Sequence, residues 1–370
     1  MIKLKKQQLL KFNKDKIKNK NVLLRVDFNV DFYQEKILDK TRIIAIKETL
    51  KFLKPARRII LLSHLGENNS FKKILPLIEK ILSLKIEFLK DLNSPPKGKI
   101  NLLENIRLFK GEKESDLNFA KKLAKWGEVF INEAFSVSHR KHASVYLLPK
   151  ILPTYYGINF QKEIELLNKA LQRLKKSGVL ILGGAKISTK LPLIEKFLEK
   201  NVLIILGGGL ANTYLKAKNF EIGKSLYEKD ILEKIKKICS PQILSPFDFY
   251  VLNKNLIFHR FLGEIRNGDL IYDIGEESLK IFFEEIKKAK TIIWNGPLGL
   301  VEDKRFEKGT FNLAKFLSNL KNKFILIGGG DTLSFLEKKK ILKKFKNIST
   351  GGGAMLKYLA EENLPIFKNE

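Results

Sequence analysis

The sequence predicts an α/β protein in which two doubly wound parallel sheets form two domains. Short apolar runs alternate along the whole chain with lysine-rich segments of helical periodicity. Near-continuous apolar strands of about four to eight residues are typical of parallel sheets covered by helices on both faces. The chain has 370 residues, of which 44% are hydrophobic. A chain of this length usually folds into more than one domain, and its apolar content is sufficient for two hydrophobic cores.

Eight apolar runs carry the strand prediction, four in each half of the chain. Parallel strands need a crossover connection, usually a helix, and the lysine-rich segments between the runs can supply it. The predicted strands are Val22–Val26, Ile59–Leu62, Ile86–Leu89, Val129–Ile131, Val179–Leu182, Val202–Leu206, Thr291–Trp294 and Phe324–Ile327.

A long helix is predicted between the two halves. Apolar residues recur at helical spacing from Ile164 to Leu174, Asn159 suits an N-terminal cap, and Ser177-Gly178 suits the helix end. We therefore expect an N-terminal domain over residues 1–158, a connecting helix over 159–176 and a C-terminal domain from residue 177.

The formal net charge of +30 has two interpretations. It could mark a surface for nucleic acid or another polyanion, or it could reflect an AT-rich genome, which would also raise the content of Ile, Asn and Phe. The excess is nearly all lysine and is dispersed, whereas bidentate recognition of phosphate and guanine favours arginine. We predict no specific nucleic-acid partner, and a basic field that favours anionic substrates.

The sequence also predicts a cytoplasmic protein without a membrane-spanning helix. Its single cysteine, Cys239, cannot form an internal disulfide, which fits a reducing compartment. Met1–Lys20 is rich in lysine but lacks the apolar stretch of a signal peptide. No apolar run reaches the roughly 18 residues that a transmembrane helix needs.

Glycine clusters follow five strand-like segments of the second half. One cluster alone would indicate a tight turn, but five at the ends of parallel strands predict a ligand site, because backbone N–H groups and helix N-termini converge there. The clusters are Gly183-Gly184, Gly207–Gly209, Gly296 with Gly299, Gly328–Gly330 and Gly351–Gly353.

Polar residues beside these glycines suit phosphate chemistry. Asp331 could cap a helix or bind Mg²⁺, and Thr332 offers a hydroxyl to phosphate oxygens. Lys186 and Lys190, four residues apart, are predicted to share a helical face as phosphate counter-charges, the alternative being a solvated face. The last cluster, Gly351–Gly353, could present N–H groups to a transferring phosphoryl group.

The first half concentrates arginine, histidine and polar residues after its predicted strands. Together they predict a pocket for a small molecule that carries phosphate and carboxylate groups, although any one of them alone would indicate a surface ion pair. The pocket would be formed by Arg42, His64, Arg107 and Arg140, while Asp27 and Asn29 lie on the same side of the chain at the end of the first strand.

Several motifs of other enzyme classes are missing from the sequence. It has no GxxxxGK[ST], no GxGxxG, no HRD and DFG pair, no metal-ligand spacing of Cys or His and no nucleophile elbow. These observations predict direct in-line phosphoryl transfer without a covalent intermediate.

The motifs, in this order, resemble those of the phosphoglycerate kinase family from about Asn21 to Leu359. The segments that carry the resemblance are LLRVDFNV (23–30), LLSHLG (61–66), LLENIRLFKGE (102–112), FINEAF (130–135), SHRKHAS (138–144), LGGAKISTKL (182–191), GGGLANTYL (207–215), GKSLYE (223–228), WNGPLGLVE (294–302), GGGDT (328–332) and STGGGA (349–354).

The resemblance implies a glycolytic phosphotransferase with two Rossmann-like domains joined by a helix and a hinge. It would transfer a phosphoryl group reversibly from 1,3-bisphosphoglycerate to Mg-ADP, giving 3-phosphoglycerate and ATP, as a monomer. The nucleotide domain would span 177–355, and residues 356–370 would pack back on the N-terminal domain. Hinge closure would exclude water from the acyl phosphate.

The resemblance also implies roles for individual residues. Catalysis would fall to Arg42 and Lys186, Mg²⁺ would reach Asp331 through the nucleotide, and Gly351–Gly353 would hold the transferred phosphate. The glycerate would contact Asp27, Phe28, Asn29, Arg42, His64, Leu65, Gly66, Arg107 and Arg140, and the nucleotide would contact Lys186, Lys190, Asn295, Glu302, Gly329, Gly330, Asp331 and Thr332.

The chain departs from the family pattern at several positions. Glu67 stands where the family usually has arginine, so we expect weaker glycerate binding, unless position 67 faces solvent in a shortened loop. The other departures are Asp31 for proline, Glu133 for aspartate, Ser136 for glycine, and Met355 and Lys357 for a small residue and glutamate.

Three other function classes fit the sequence less well. A nucleic-acid-binding protein would cluster arginine with exposed aromatic residues, and a doubly wound dehydrogenase would carry the missing dinucleotide fingerprint. A degenerate kinase with a structural role is harder to dismiss, but Arg42, Lys186 and Asp331 all remain.

Overall fold

The computed structural model describes residues 14–33, 36–174, 178–200, 202–238 and 240–367. Contacts divide the chain into two units, one of residues 1–165 with 362–370 and one of residues 166–361. Each unit contains one six-stranded sheet in which every pairing is parallel. The predicted α/β class with two parallel-sheet domains is therefore confirmed.

The first unit is built on a sheet with the strand order β5-β6-β4-β1-β7-β8. A short antiparallel hairpin, β2 with β3, lies outside it. The strands are β1 Asn21–Arg25, β2 Phe32–Tyr33, β3 Lys36–Ile37, β4 Arg58–Leu62, β5 Glu87–Leu89, β6 Ile100–Leu103, β7 Val129–Asn132 and β8 Thr154–Tyr156, and the helices are α1 Thr41–Ala45, α2 Lys47–Phe52, α3 Leu75–Leu82, α4 Lys110–Lys113, α5 Leu117–Ala124, α6 Leu148–Ile151 and α7 Ile158–Leu174.

Both faces of this sheet are covered. Side chains of a strand alternate between faces, so Val22 and Leu24 pack into one apolar cluster with residues of α1 to α3. Leu23, between them, packs into a second cluster with residues of α5 and α6. All three side chains are fully buried, which explains the unbroken apolar sequence of β1.

The second unit has the strand order β11-β10-β9-β15-β16-β17, and a separate antiparallel sheet β13-β12-β14. The strands are β9 Gly178–Leu182, β10 Leu203–Leu206, β11 Ile243–Leu244, β12 Asp248–Asn253, β13 Leu256–Phe261, β14 Leu270–Ile274, β15 Thr291–Asn295, β16 Phe324–Gly328 and β17 Asn347–Ser349, and the helices are α8 Leu191–Leu198, α9 Gly208–Ala217, α10 Leu232–Lys236, α11 Glu276–Lys288, α12 Lys308–Asn319, α13 Gly330–Lys338 and α14 Gly353–Glu361.

All eight predicted strands are present within a few residues of their predicted bounds. The strands that the sequence did not predict are short or lack an apolar run. Thr154–Tyr156 and Asn347–Ser349 have three residues each, and Ile100–Leu103 carries the polar Asn101. The antiparallel sheet was also missed, since β13 is largely solvent-accessible and its apolar run covers only residues 256–258.

The N-terminus of α7 is held by a carboxylate from another strand. Glu133, directly after β7, accepts hydrogen bonds from the backbone N–H groups of Asn159 (3.1 Å) and Phe160 (3.2 Å) and from the Thr49 hydroxyl. The helix begins at Ile158, so Asn159 lies inside it and its side chain donates to Ala45 O at 2.6 Å. Glu133 therefore takes the capping role that the sequence assigned to Asn159.

The division between the units falls within α7, after Glu165. The predicted helix end at Lys176-Ser177 lies outside the described residues, as do the terminal residues 1–13 and 368–370 and Cys239. Helix α14 belongs to the second unit, whereas the Phe367 ring contacts Tyr156 and Phe160 of the first, with ring centroids 5.5 and 6.1 Å apart.

Across the described part of the chain, no helix combines the length and apolarity that a membrane span requires.

Burial of Glu133 makes the free energy of unfolding depend on pH. Desolvation raises the pKa of Glu133 from 4.5 to about 7, so the folded protein binds this proton more readily than the unfolded chain. The contribution is fully present below pH 4.5 and is lost as pH rises through 7. The free energy of unfolding of the wild type should therefore fall by about 2–3 kcal/mol between pH 5 and pH 8, and Glu133→Gln should remove this fall. Chemical denaturation across this pH range measures the difference.

The control is Glu128→Gln, which removes a carboxylate that is half exposed in an ion pair with Arg57. This variant should keep the pH dependence of the wild type. Parallel pH curves for the wild type and Glu133→Gln would contradict the assignment.

Candidate active site

The five glycine clusters of the second unit lie at one edge of its parallel sheet. They follow β9, β10, β15, β16 and β17, which are neighbours in the sheet. Carboxyl ends of parallel strands share an edge, and α9, α13 and α14 begin there with their free N–H groups. The glycine clusters therefore share one sheet edge, as the sequence pattern predicts, and the binding of a ligand at this edge stays a prediction.

These glycines fall into two groups, those that allow close packing of backbone against backbone and those that border open space. A Cβ on Gly183 would overlap Pro297 O, and a Cβ on Gly296, which has φ 95°, would overlap Gly183 O. These two residues let the loops after β9 and β15 pack backbone against backbone. By contrast, a Cβ on Gly330 or Gly352 would meet no atom within 4 Å. Packing does not explain the latter two, which leave open space at the N-termini of α13 and α14, although the φ of 50° at Gly352 also favours glycine there.

A cavity of about 230 Å³ lies among these loops. It combines main chain of the glycine loops, an apolar floor and two exposed carboxylates, Glu302 and Asp331. Its lining comprises Gly184, Ala185, Gly208, Gly209, Ala211, Asn212, Leu226, Pro246, Phe249, Ile271, Tyr272, Asp273, Ile274, Pro297, Leu298, Gly299, Leu300, Glu302 and Asp331. Such a lining suits a flat, partly apolar ligand with polar ends.

The two predicted lysines lie in the loop between β9 and α8. Helix α8 begins only at Leu191, so Lys186 and Lys190 do not share a helical face, and that prediction is wrong. Lys186 is exposed, whereas Lys190 is 7% exposed. Burial lowers the pKa of Lys190 to about 8, although Asp331 and Glu228 oppose the shift.

Glu228 fixes this loop, and sequence reasoning did not single it out. Its carboxylate accepts hydrogen bonds from the backbone N–H of Ser188 (2.8 Å) and from the Ser188 hydroxyl (2.6 Å). Ser188 lies midway between Lys186 and Lys190. The Glu228 contact therefore orders the segment that carries both lysines.

Two predicted nucleotide residues lie deeper in the loops. Thr332 is fully buried, and its hydroxyl accepts a hydrogen bond from Gly296 N at 2.9 Å, so its side chain holds two loops together. Asn295 is 4% exposed, and within the described residues its buried Nδ2 has no hydrogen-bond partner. An unpartnered buried donor beside Gly329 is available to a ligand acceptor.

Asp273 lines the cavity but was absent from the sequence-based predictions. Its carboxylate accepts from Gly309 N and Ile274 N at 2.8 and 2.9 Å. Burial raises the pKa of Asp273 to about 7. Asp273 is the penultimate residue of β14, a strand of the unpredicted antiparallel sheet, and no glycine cluster marks its position.

In the first unit, Asp27, Asn29, Arg42 and Gly66 form a connected group. Arg42 Nη1 lies 2.9 Å from Asp27 Oδ2 and donates to Asn29 O at 3.1 Å. Gly66 N donates to Asn29 Oδ1 at 2.7 Å. Burial, the largest single influence, opposes ionisation of Asp27, but Arg42 and the other polar neighbours together outweigh burial and hold the pKa of this carboxyl below its usual value.

His64 belongs to a buried network beneath this group. Its Nδ1 lies 3.5 Å from Arg25 Nη2, and Arg25 Nε donates to Ser144 Oγ at 2.9 Å. Ser144 in turn donates to Glu112 at 2.6 Å. Burial, and secondly the charge of Arg25, lowers the pKa of His64 to about 2. His64 is therefore a neutral imidazole at physiological pH.

Arg107 is paired with the residue that departs from the family pattern. Its Nη1 lies 2.8 Å from Glu67 Oε1 and donates to Gly66 O at 3.2 Å. Glu67 also forms an ion pair with Lys113. The Glu67 side chain is 54% exposed, so position 67 does face solvent while its carboxylate neutralises Arg107. Arg140 is exposed, and its charge is close enough to lower the pKa of His64 further.

Two predicted glycerate residues contribute no side chain to this pocket. Phe28 and Leu65 are fully buried in the apolar cluster shared with α1 to α3. Phe28 N donates to Ser63 Oγ at 2.8 Å, and Leu65 O accepts from Asn105 Nδ2 at 2.8 Å. These residues anchor the loops that carry Asp27, Asn29 and Gly66.

The remaining departures have local roles. The Ser136 hydroxyl donates to Asp27 Oδ2 at 2.5 Å, so the added side chain is part of the pocket. Lys357 pairs with Glu361 one turn later on α14 at 2.5 Å. Met355 is fully buried against Gly328, and Asp31 O accepts from Leu38 N at 2.9 Å.

The chain is similar to known proteins over nearly its whole length. A family profile described as phosphoglycerate kinase matches residues 12–362. The chain belongs to this family. The predicted family, the kinase function and the enzyme class are therefore confirmed, and the glycolytic role follows from them.

Individual phosphoglycerate kinases agree with this result. That of Wolbachia sp. subsp. Drosophila simulans (strain wRi) is 38% identical over 376 residues, covering 94% of each chain. The structure from Coxiella burnetii matches with a TM-score of 0.79 and 32% identity, covering 95% of this chain and 96% of that one. The structure from Pyrococcus horikoshii OT3 matches with a TM-score of 0.83 and 28% identity at the same coverage.

The two kinds of glycine can be separated by experiment. Gly296→Ala should lower the unfolding free energy by about 2 kcal/mol or more, because the new methyl group overlaps backbone. Gly330→Ala should keep or slightly raise stability, yet weaken ATP binding by about tenfold if a phosphate occupies the open space. Thermal unfolding and calorimetric ATP titration measure both effects. Wild-type ATP affinity in Gly330→Ala would contradict the assignment.

Proposed function

We propose that this chain transfers a phosphoryl group reversibly from 1,3-bisphosphoglycerate to Mg-ADP by direct in-line displacement. The observation that carries the proposal is the pairing of two different ligand surfaces in one chain. The first unit presents arginines around a neutral histidine, and the second presents a cavity walled by glycine loops. The first chemistry suits a small phosphorylated acid and the second suits a nucleotide.

The glycerate is held by the connected group of the first unit. Arg42, Arg107 and Arg140 supply guanidinium N–H donors to its carboxylate and phosphate oxygens. Neutral His64 offers a ring nitrogen without adding a charge. Asp27 orients Arg42 through their 2.9 Å ion pair, and Asn29 holds the Gly66 backbone.

The nucleotide occupies the glycine-walled cavity of the second unit. Its base lies against the apolar floor, Glu302 accepts hydrogen bonds from the ribose, and Lys190 with the N-terminus of α13 faces the phosphates. Asn295 Nδ2 supplies the unpartnered donor.

Asp331 would hold Mg²⁺ together with the nucleotide phosphates. Within the described ranges no group of three or more His, Cys, Asp or Glu side chains could hold a metal by itself. That suits an ion held by one carboxylate and phosphate oxygens, which is how proteins commonly bind Mg²⁺. Bound there, the ion would neutralise charge on the nucleotide phosphates.

The transferred group is stabilised by charge and by backbone donors. We assign Arg42 and Lys186 to its equatorial oxygens, and the open loop Gly351–Gly353 at the start of α14 to the same group. The glycerate residues belong to one unit and the nucleotide residues to the other. Hinge closure, which the family resemblance implies, would bring the two ligands together and exclude water from the acyl phosphate.

We further propose that the enzyme acts as a cytoplasmic monomer. The monomeric state rests on the family resemblance alone. The compartment rests on the single cysteine, which cannot form an internal disulfide.

The first test is an assay in the ATP-consuming direction with 3-phosphoglycerate and Mg-ATP, coupled to NADH oxidation. Activity should require both substrates and Mg²⁺. Lys186→Ala should lower kcat by about a hundredfold or more, because it removes a charge that acts mainly on the transition state.

Lys321→Ala is the matched control, since Lys321 is an exposed lysine outside the site, and it should retain full activity. Equal activity in both variants would remove Lys186 from the mechanism. A folded protein that binds Mg-ATP without turnover would favour the degenerate-kinase alternative.

Glu67 gives a second test on the glycerate side. Glu67→Gln should lower the KM for 3-phosphoglycerate by about two- to tenfold, because Arg107 and Lys113 lose an exposed competing carboxylate. Glu67→Arg should lower it further, and the KM for ATP should stay constant.

Glu114→Gln removes the same charge from a neighbouring exposed position and should leave both constants unchanged. An unchanged or higher KM in Glu67→Gln would show that the Glu67 contact does not compete with substrate.

A further inference from the structure

We call the group of Asp27, Asn29, Arg42, His64 and Arg107 the anion pocket. A second cavity lies in the first unit, at the opposite edge of its sheet from the anion pocket. It has a volume of about 300 Å³ and includes Ile59 and Ile100, which stand at the amino ends of β4 and β6. The anion-pocket residues instead follow the carboxyl ends of the strands. The volume is at the lower limit of the roughly 300–1,000 Å³ typical of small-molecule sites. This cavity is therefore separate from the proposed reaction.

The floor of the cavity is entirely hydrocarbon. It is formed by Leu50 on α2, Ile59, Leu82 at the end of α3, Leu84 and Ile100. Leu50, Ile59 and Leu82 are at most 5% exposed, whereas Leu84 is 36% exposed and reaches solvent. A buried aliphatic surface with one open side favours an apolar ligand segment.

The rim of the cavity is entirely cationic. Every charged residue that lines it is a lysine, namely Lys47, Lys51, Lys54 and Lys99, and no carboxylate of the described residues does so. Lys47, Lys51 and Lys54 follow at helical spacing along α2 and just beyond it.

Lys99 is held at this rim by the backbone. Its Nζ donates to Lys54 O at 3.1 Å and also contacts Ala56 O. An ammonium group has three N–H donors, so Lys99 retains one for a ligand. We call this site the lysine-rimmed cavity.

We propose that the lysine-rimmed cavity binds an amphipathic anion, namely a monocarboxylate with a medium-length hydrocarbon tail. The tail would lie on the leucine and isoleucine floor, and the carboxylate would lie among the lysine ammonium groups. A purely apolar ligand would leave the rim without a partner, and a cation would be repelled by it. A nucleic-acid backbone would find nothing to contact on an aliphatic floor.

Decanoate is the probe, titrated into the full-length protein. We expect saturable one-to-one binding that shifts the methyl NMR signals of the floor leucines and isoleucines. Decyltrimethylammonium, with the same tail and the opposite charge, should not bind there. Saturating Mg-ATP should leave decanoate affinity unchanged, so the test does not depend on the kinase assignment.

Charge variants separate a built site from the general basic field of the protein. Lys51→Glu with Lys54→Glu should weaken decanoate binding at least tenfold. The matched control is Lys121→Glu with Lys122→Glu, two exposed lysines on α5, which changes the net charge equally and should alter affinity less than twofold. Leu84→Gln, which keeps the charge, should also weaken binding.

Three results would overturn the proposal. The first is an equal loss in both double variants, which would assign the attraction to the overall charge. The second is binding of both amphiphiles alike, or methyl shifts confined to another part of the protein. The third is the absence of saturable binding, which would mean that the lysine stems merely cover the apolar floor.

Discussion

In a parallel sheet every strand ends at the same edge, and both candidate ligand surfaces depend on this constraint. Loops that are far apart in sequence emerge side by side there. In the first unit Arg25 and Ser144, 119 residues apart, come within hydrogen-bond distance. In the second unit five glycine loops share one edge. The apolar strands therefore position the polar loops, and a change in the core would reach the site through strand placement.

Within the first unit, buried carboxylates and a neutral ring keep several guanidinium groups together. The charge of Arg25 is balanced by Glu112, to which Arg25 is linked through Ser144, and the charge of Arg42 is balanced by Asp27. Arg107 is offset by Glu67, which is half exposed and attached to a loop. The first two pairs are partly or fully buried and form the framework of the pocket, whereas the third is accessible to a competing anion.

The sequence predicts the long strands well because a strand that is buried on both faces consists of consecutive apolar residues, as in Val22–Leu24. It predicts short strands poorly, since a strand of three residues such as Asn347–Ser349 is too short to show a hydrophobic periodicity. The glycine clusters predict a ligand edge, whereas Asp273 and Glu228 act through contacts between distant residues that no local sequence pattern indicates.

Two other sequence-based expectations failed or shifted for similar reasons. Helix spacing placed Lys186 and Lys190 on one face, but the loop runs to Lys190 before α8 begins. Glu133 caps α7 from 26 residues away, and a cap from another strand is invisible in the helix sequence itself. The residue-level site assignments and the domain roles remain predictions.

The distribution of arginine separates the chemistry of this protein from its charge. Only ten arginines occur among the 70 basic residues, and Arg25, Arg42, Arg107 and Arg140 lie in or near the group that we propose to bind the glycerate. The remaining positive charge is mostly exposed lysine, which attracts any polyanion in a cell extract at low ionic strength. Co-purification with nucleic acid would thus reflect nonspecific electrostatic attraction to the surface lysines. It would carry no information about the reaction, and surface lysines other than Lys186 could be exchanged to improve handling while the proposed catalytic residues stay intact.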